Sequence, residues 1–171
     1  MRPIVFNDEL VREIHNGIEA TFSNMFAIKP KPGAHQVNDS QVIQGDVSGI
    51  INLVQDASKD QVEGTLILSF PSETIFAMLT KIYNRPFTSV DKNVKSGVGE
   101  LTNIVFGIFK ANLNRNGYSF QMALPNVVYG EGHAVYISRP GKSLTMPFQC
   151  SVGSFSVTLT VCDDSTLPKV G

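Results

Sequence analysis

The sequence lacks tryptophan, has only two cysteines in 171 residues, and shows no excess of either charge. Fourteen Lys and Arg side chains against 15 Asp and Glu leave a net charge of −1, so we expect no nucleic-acid partner. No apolar run approaches the roughly 18 residues that a membrane span needs, and the N-terminus lacks the apolar stretch of a secretory signal. We therefore expect a soluble cytoplasmic protein without a membrane partner.

The few cysteines and histidines are not spaced like a disulfide framework or a metal site. Cys150 and Cys162 fall on two predicted strands of one hairpin, where we expect reduced thiols. His15, His35 and His133 stand in a helix, a loop and at a strand edge, with no shared spacing. We therefore expect this chain to bind no metal or other cofactor of its own.

Apolar periodicity and turn residues predict three helices and several strands in one domain spanning residues 1–171. The predicted helices cover 7–26, about 71–84 and about 90–114, and the strands cover 42–55, 61–70, 118–124, 127–138, 143–152 and 154–162. Residues 33–41 are expected to form a loop, turns are expected at 130–132, 139–142 and Gly153, and the tail after about 163 is expected to be loose. Asn7 is expected to cap the first helix, and Thr88 or Ser89 the third.

The third helix carries a polar face opposite its apolar stripe. At 100° per residue, the polar face contains Ser96, Glu100, Asn103, Gly107 and Asn114. The apolar stripe contains Val94, Val98, Leu101, Val105 and Ile108. Glu100 and Asn103 are three residues apart and are therefore neighbours on the exposed side. Taken alone, a Glu-x-x-Asn pair of this kind indicates only a solvated helix surface.

Three glycines interrupt this helix, and each costs about 1 kcal/mol of helix stability relative to alanine. Gly97 is expected to let another helix or the sheet approach. Gly99 and Gly107 flank the polar pair, where a missing side chain lets the backbone of a partner come close.

The segment from Ser96 to Gly107, SGVGELTNIVFG, resembles the motif helix of the CheX/CheC/FliY family of chemotaxis phosphatases. The family signature is Asp or Ser, three further residues, Glu, two residues, Asn, and a proline further along the chain. Ser96, Glu100 and Asn103 match in register, and Pro125 stands one residue nearer than the usual spacing. The resemblance extends over most of the chain. It implies an α+β fold, with long helices packed on a mainly antiparallel sheet and an internal pseudo-repeat.

The number of motif copies distinguishes members of this family. Glu19 in the first helix stands in a context similar to that of Glu100, which indicates a duplication within one domain. CheC-like members usually carry two Glu-x-x-Asn motifs, but here Phe22 replaces the second Asn and His15 stands where Ser96 would be. The resemblance therefore implies a single-site, CheX-type member that forms a homodimer.

The family resemblance implies that the substrate is a phosphorylated CheY-like response regulator, which carries an aspartyl phosphate and its own Mg²⁺. Asn103 would orient the attacking water, because an amide both donates and accepts hydrogen bonds. Glu100 would pair with a lysine of the regulator. Ser96, Gly99 and Gly107 would lie against the regulator as substrate-binding positions.

We expect the dimer to form through the closing strands 143–152 and 154–162, because so apolar a strand pair would leave an exposed edge in a monomer. The side chains concerned are Met146, Phe148, Phe155, Val157, Leu159 and Val161.

Two other functions are compatible with the sequence. One is a catalytically silent CheX-like module that binds a response regulator or scaffolds a signalling complex. An intact Asn103 favours the enzyme over this module, because a protein that only binds does not need a water-orienting amide. The other is a structural protein of the flagellar switch, which we favour less.

Overall fold

The computed structural model describes residues 4–39, 42–55, 64–121, 123–137 and 141–162. These residues form three helices and seven strands, in the order α1 (Asp8–Phe26), β1 (Lys31–Pro32), β2 (Gln36–Asn38), β3 (Val42–Leu53), β4 (Gly64–Phe70), α2 (Ser72–Tyr83), α3 (Lys92–Arg115), β5 (Asn126–Tyr136), β6 (Gly141–Cys150) and β7 (Gly153–Cys162). The predicted tail after 163 and the first part of the predicted turn at 139–142 lie outside the described residues.

The strands form one antiparallel sheet in the order β1–β6–β7–β4–β3–β5, with β2 also paired to β6. The predicted pairing of the strands at 42–55 and 61–70 is confirmed, because Val47 lies opposite Phe70 and Leu53 opposite Gly64. The three helices pack on this sheet, which confirms the expected α+β class. The sheet joins segments that are far apart in sequence, since β4 pairs with β7 near residue 160.

The core lies between the helices and one face of the sheet. In α1, Leu10, Ile14, Ile18 and Phe22 are fully buried, as their spacing of three and four residues predicts. The Asn7 side chain accepts a hydrogen bond from the Leu10 amide at 2.9 Å, so the predicted N-cap of this helix is confirmed.

Three close approaches hold α3 in place, and a glycine lies at each of them. A methyl group at Gly49 in β3 would overlap the hydroxyl of Thr102, which is itself buried and donates to the Val98 carbonyl at 2.7 Å. A methyl group at Gly97 would lie 2.8 Å from a methyl carbon of Leu79 in α2, and this confirms the expected approach of another helix. Where α1 meets α3, a methyl group at Gly17 would lie 3.4 Å from a backbone oxygen of α3.

Two predicted boundaries are wrong, one in an exposed segment that pairs with a distant strand and one at the start of α3. Residues 33–41 were expected to form a loop, but β2 and the nearby β1 pair with β6 there, with every side chain exposed. The cap of α3 is Asp91 rather than Thr88 or Ser89, because the Asp91 carboxylate accepts from the amides of Asn93 and Val94 at 2.9 Å.

The strand predicted at 118–124 is absent from residues 118–121 and 123–124. The Asn114 side chain instead accepts from the Phe120 amide at 2.8 Å and donates to its carbonyl at 3.0 Å. This clip folds the segment back onto the end of α3, where Tyr118 and Phe120 are buried and stack on each other. Asn114 is therefore engaged in the end of the helix and does not belong to its free polar face.

The turn predicted at 130–132 is instead a bulge inside β5. The register with β3 shifts between Gly45 and Val47, and Gly130 and Gly132 have φ values of 144° and 61°, which favour glycine. The turn predicted at Gly153 is confirmed, since it joins β6 to β7 with a φ of 136°. Cys150 and Cys162 are free thiols at opposite ends of that hairpin.

At the bulge, the Asp46 side chain connects β5 to the start of α2. One oxygen of its carboxylate accepts from the Gly132 amide at 2.9 Å, and the other accepts from the Ser72 amide at 2.8 Å. Helix α2 has Pro71 at its N-cap position, which makes no side-chain cap, so Asp46 caps this helix from the sheet. These backbone donors hold the pKa of the Asp46 carboxyl below its ordinary value.

The expected dimer edge at 143–162 is wrong, because β6 and β7 lie inside the sheet. β7 pairs with β4 as well as β6, and β6 also pairs with β1 and β2. The apolar side chains that suggested an edge face the core of the same chain, and all but the partly buried Val161 are at most 4% exposed: Met146, Phe148, Phe155, Val157 and Leu159. Among the described strands, β5 forms the sheet edge beside α3, because it pairs only with β3.

Replacing Asp46→Ala should lower the free energy of unfolding by about 1–3 kcal/mol at neutral pH, since two backbone amides lose a charged acceptor. The carboxyl has a lowered pKa in the folded state, so its contribution is present above about pH 4 and is lost as the pH falls through the folded pKa. Urea unfolding of the wild type and of Asp46→Ala should show a smaller difference in the free energy of unfolding near pH 3 than at pH 7. An equal difference at both pH values would contradict the role of the charge, and the exposed Asp39→Ala serves as control.

Two glycine-to-alanine substitutions should change stability in opposite directions. Gly49→Ala should destabilise the fold by about 1–3 kcal/mol, because the new methyl group overlaps Thr102. Gly107→Ala should stabilise it by up to about 1 kcal/mol, because nothing lies within 4 Å of the added carbon and alanine favours the helix. Thermal unfolding measures both, and equal effects would contradict this packing of α3.

Candidate functional site

The candidate site lies on a helix whose start is held by several contacts. Besides capping α3, Asp91 accepts a hydrogen bond from Arg85 at 2.9 Å, and the Arg85 guanidinium lies 4.1 Å from the Phe87 ring centroid. The hydrogen bond from Arg85 and those from the first amides of α3 hold the pKa of the exposed Asp91 carboxyl below its usual range. The helix therefore begins at a defined residue, which sets the rotation of all its later side chains.

The core sets the orientation of α3 about its own axis. Val94, Val98, Leu101 and Val105 are fully buried, as predicted, while Ile108 is only partly buried. The opposite side of the helix must therefore face solvent.

The structure brings the predicted site residues together on that outer side. Ser96 and Glu100 are exposed, and Asn103 is partly exposed one turn from Glu100. Within the described residues, none of these three side chains has a hydrogen-bond or ion-pair partner. A carboxylate and an amide thus point outward with their full hydrogen-bonding capacity available.

The two glycines expected beside the polar pair leave space there. A methyl group at Gly99 would make only an ordinary contact, 3.6 Å from a methyl carbon of Val127, and Gly107 is open to solvent. No side chain therefore projects from the helix one turn before or one turn after Asn103, so a partner could approach the backbone of α3 there.

Strand β5 forms a wall along one side of this surface. Val127 lies against Gly99, and one turn earlier the Lys95 ammonium lies 4.0 Å from the centre of the Tyr129 ring. The Lys95 ammonium beside it lowers the pKa of the exposed Tyr129 hydroxyl. The motif proline, Pro125, stands two residues before Val127, at the Asn103 end of this wall.

Sequence reasoning did not identify Lys95 and Tyr129. The alternation of β5 could have placed Val127 and Tyr129 on one face of the strand, but only the tertiary fold shows which helix lies beside that face.

The corresponding part of α1 does not form a second site. Glu19 is exposed, but Phe22 is fully buried and stacks on Phe155 with ring centroids 4.6 Å apart. His15 packs edge-on against Phe148, and its burial, with His35 nearby, lowers its pKa. The prediction that this half lacks a water-orienting amide therefore agrees with the packing.

Another pair of polar residues has geometry that resembles a catalytic dyad. The Ser48 hydroxyl lies 2.9 Å from His133 Nε2, while His133 Nδ1 lies 3.0 Å from the Gly130 carbonyl oxygen. Ser48 is fully buried, however, and also bonds to Ser69 at 2.9 Å. This network joins β3, β4 and β5, and the Ser48 hydroxyl is engaged within it and has no exposed surface of its own.

Two kinds of feature are absent from the described residues. They contain no group of three His, Cys, Asp or Glu side chains arranged to hold a metal ion. None of the helices formed by these residues combines the length and the apolar character needed to cross a bilayer.

Comparison with known proteins identifies the fold and the family. The model of the chemotaxis phosphatase CheX matches residues 45–149, which include α3 and its polar face. Comparison with curated proteins finds no match.

Solved structures resemble nearly the whole chain. A CheC-like superfamily protein from Shewanella sp. PV-4 is 30% identical, with a TM-score of 0.81 over 91% of this chain and 98% of that one. The chemotaxis protein CheX from Desulfovibrio desulfuricans is 25% identical, with a TM-score of 0.79 over 90% and 99%. A CheX–CheY–BeF3–Mg²⁺ complex from Borrelia burgdorferi shares the fold at 20% identity, with a TM-score of 0.71 over 90% and 98%.

The family match covers more than half of the chain, and its residues include the exposed Glu100 and the partly exposed Asn103 on α3. The chain belongs to the CheX family of chemotaxis phosphatases.

Proposed function

We propose that this protein dephosphorylates a phosphorylated CheY-like response regulator and so ends a chemotaxis signal. The observation that carries the proposal is the outward-facing pair of Glu100 and Asn103 on a helix held tightly by the core, with no hydrogen-bond or ion-pair partner for either among the described residues. Membership in a family of chemotaxis phosphatases supports it, as does the Borrelia burgdorferi CheX solved together with CheY, BeF3 and Mg²⁺.

Asn103 is the residue that we assign to the chemical step. Hydrolysis of an aspartyl phosphate breaks a P–O bond after in-line attack by water, and it needs position more than covalent help. The Asn103 amide can accept a hydrogen bond from that water and donate one to a phosphoryl oxygen. Because the helix is already held in place, the amide meets the substrate with little reorganisation.

Glu100 and its neighbours are assigned to recognition. The Glu100 carboxylate would pair with a lysine beside the phosphoryl group of the regulator, which positions Asn103 behind the phosphorus. Ser96 would supply a second polar contact. The low surface at Gly99 and Gly107 would let the regulator come close enough for Asn103 to reach its water.

The divalent ion in this reaction is assigned to the regulator. Mg²⁺ bound by the regulator would neutralise the phosphoryl oxygens, while this chain contributes the amide and the carboxylate.

Asn103→Ala should reduce turnover by about 10²–10³-fold with little effect on regulator affinity, because the amide acts mainly in the transition state. The rate at which a saturating amount of protein removes phosphoryl groups from a phosphorylated regulator measures this. Asn112→Ala is the matched control, since Asn112 lies on the same helix away from the polar face. Turnover close to wild type in Asn103→Ala would remove this residue from the mechanism.

In the same assay, Glu100→Ala should mainly raise KM and weaken its dependence on salt, because an interfacial ion pair is lost. Unchanged affinity and an unchanged salt dependence would reduce Glu100 to a solvated side chain.

We also propose that the protein is a homodimer, with β5 rather than the closing strands at the interface. The outer edge of β5 lacks a partner strand among the described residues, and Tyr136 in this strand is 72% exposed. Pairing β5 with its copy across a two-fold axis would cover this edge and the exposed side chains beside it. The outer face of α3 would stay open to the regulator.

Light scattering should therefore report a mass near twice 18.6 kDa at micromolar concentration. A stable monomer, or a dimer in which Asn103 is protected from solvent, would contradict this assembly.

A further inference from the structure

The motif helix carries a charge distribution that differs from the rest of the protein. Within α3 the cations are Lys92, Lys95, Lys110 and Arg115, and Glu100 is the one acidic side chain. The whole chain, in contrast, has a net charge of −1. The helix that bears the candidate site thus carries an excess of cations, with Glu100 as the acid at its centre and the N-cap Asp91 already paired with Arg85.

Two of these cations lie on the same stripe of the helix as the site. At 100° per residue, Lys92, Ser96, Asn103, Gly107 and Lys110 fall within an arc of about 60°. Lys92 stands one turn before Ser96, and Lys110 stands two turns after Asn103. The two lysines are about 27 Å apart along the axis, close to the diameter of a small domain. They therefore stand at opposite margins of the area that one docked domain would cover.

The same two lysines are not engaged within the protein. Lys95 is held over Tyr129, and Arg115 donates to Asn112. Neither Lys92 nor Lys110 pairs with a carboxylate in the part of the chain that the structure describes. Lys92 is exposed and Lys110 is partly exposed. Their charges are available to a partner.

We propose that Lys92 and Lys110 form an electrostatic docking clamp for the negatively charged phosphoryl face of a phosphorylated receiver domain, an inference that rests on the proposed function. A receiver domain that holds an aspartyl phosphate and a divalent ion must cluster carboxylates and phosphoryl oxygens on one surface. The two lysines flank this negative surface and attract it as the partner approaches, while Glu100 and Asn103 act at its centre. Charges at an interface rim act mainly on the rate of association and on its salt dependence.

The test compares two double variants that make the same change in charge. Lys92→Gln/Lys110→Gln removes the clamp. Lys29→Gln/Lys31→Gln removes two exposed lysines near β1, at the opposite end of the sheet order from β5. The probe is a phosphorylated CheY-type receiver domain encoded in the same genome, and both its affinity and its dephosphorylation are measured at about 0.05 M and 0.5 M salt, where screening differs strongly.

The clamp variant should lose roughly three- to tenfold in receiver affinity and in kcat/KM at low salt, with kcat unchanged. At high salt its affinity and kcat/KM should equal those of wild type, and the control variant should match wild type at both salt concentrations. The inference is overturned if the clamp variant binds like wild type at low salt, if its loss is independent of salt, or if both variants lose equally. Failure of the proposed function is a separate result, because wild type would then bind the receiver without accelerating its dephosphorylation.

Discussion

The contact between Gly49 and Thr102 is the constraint on which the site depends. It brings the backbone of β3 so close to α3 that no side chain fits between them, and Thr102 satisfies its own hydroxyl within the helix. With this contact made, the valines and Leu101 of α3 turn inward, and Glu100 and Asn103 turn outward. Glycine usually weakens helices and strands, but in this contact it allows the two backbones to pack closely. The helix thereby becomes a rigid support for two polar side chains.

This arrangement suits a protein whose partner brings much of the reaction centre. In the proposed reaction, the phosphoryl group and its ion arrive on the regulator, and this chain supplies an amide at a defined position. A helix is a better support for that task than a loop, because its side chains are displaced little on docking. The neighbouring wall of β5, with Val127 on Gly99 and Tyr129 beneath Lys95, stiffens one side of the same surface.

Much of this could be predicted from the sequence, and the failures have identifiable physical causes. The helices have strong apolar periodicity, so α1 and α3 could be placed to within about two residues and the face of Glu100 and Asn103 followed directly.

Strands β1 and β2 are short and wholly exposed, so nothing in their sequence distinguishes them from a loop. The bulge at Gly130 and Gly132 uses the same residues as a turn, and only the pairing with β3 separates the two. The apolar closing strands were mistaken for an edge because sequence shows that a side chain must be buried, but not by which element. The contact between Lys95 and Tyr129 could not be predicted for the same reason, because sequence does not show which helix lies beside β5.

The central claim is that this chain accelerates the loss of phosphate from an aspartyl-phosphorylated receiver domain. The most direct measurement follows the phosphorylated fraction of each CheY-type receiver from the same genome, with and without the purified protein. The account predicts that at least one receiver loses its phosphoryl group faster than by spontaneous decay, with a rate that saturates as receiver concentration rises. Decay at the spontaneous rate for every receiver, at protein concentrations where binding is observed, would contradict it and leave a module that only binds.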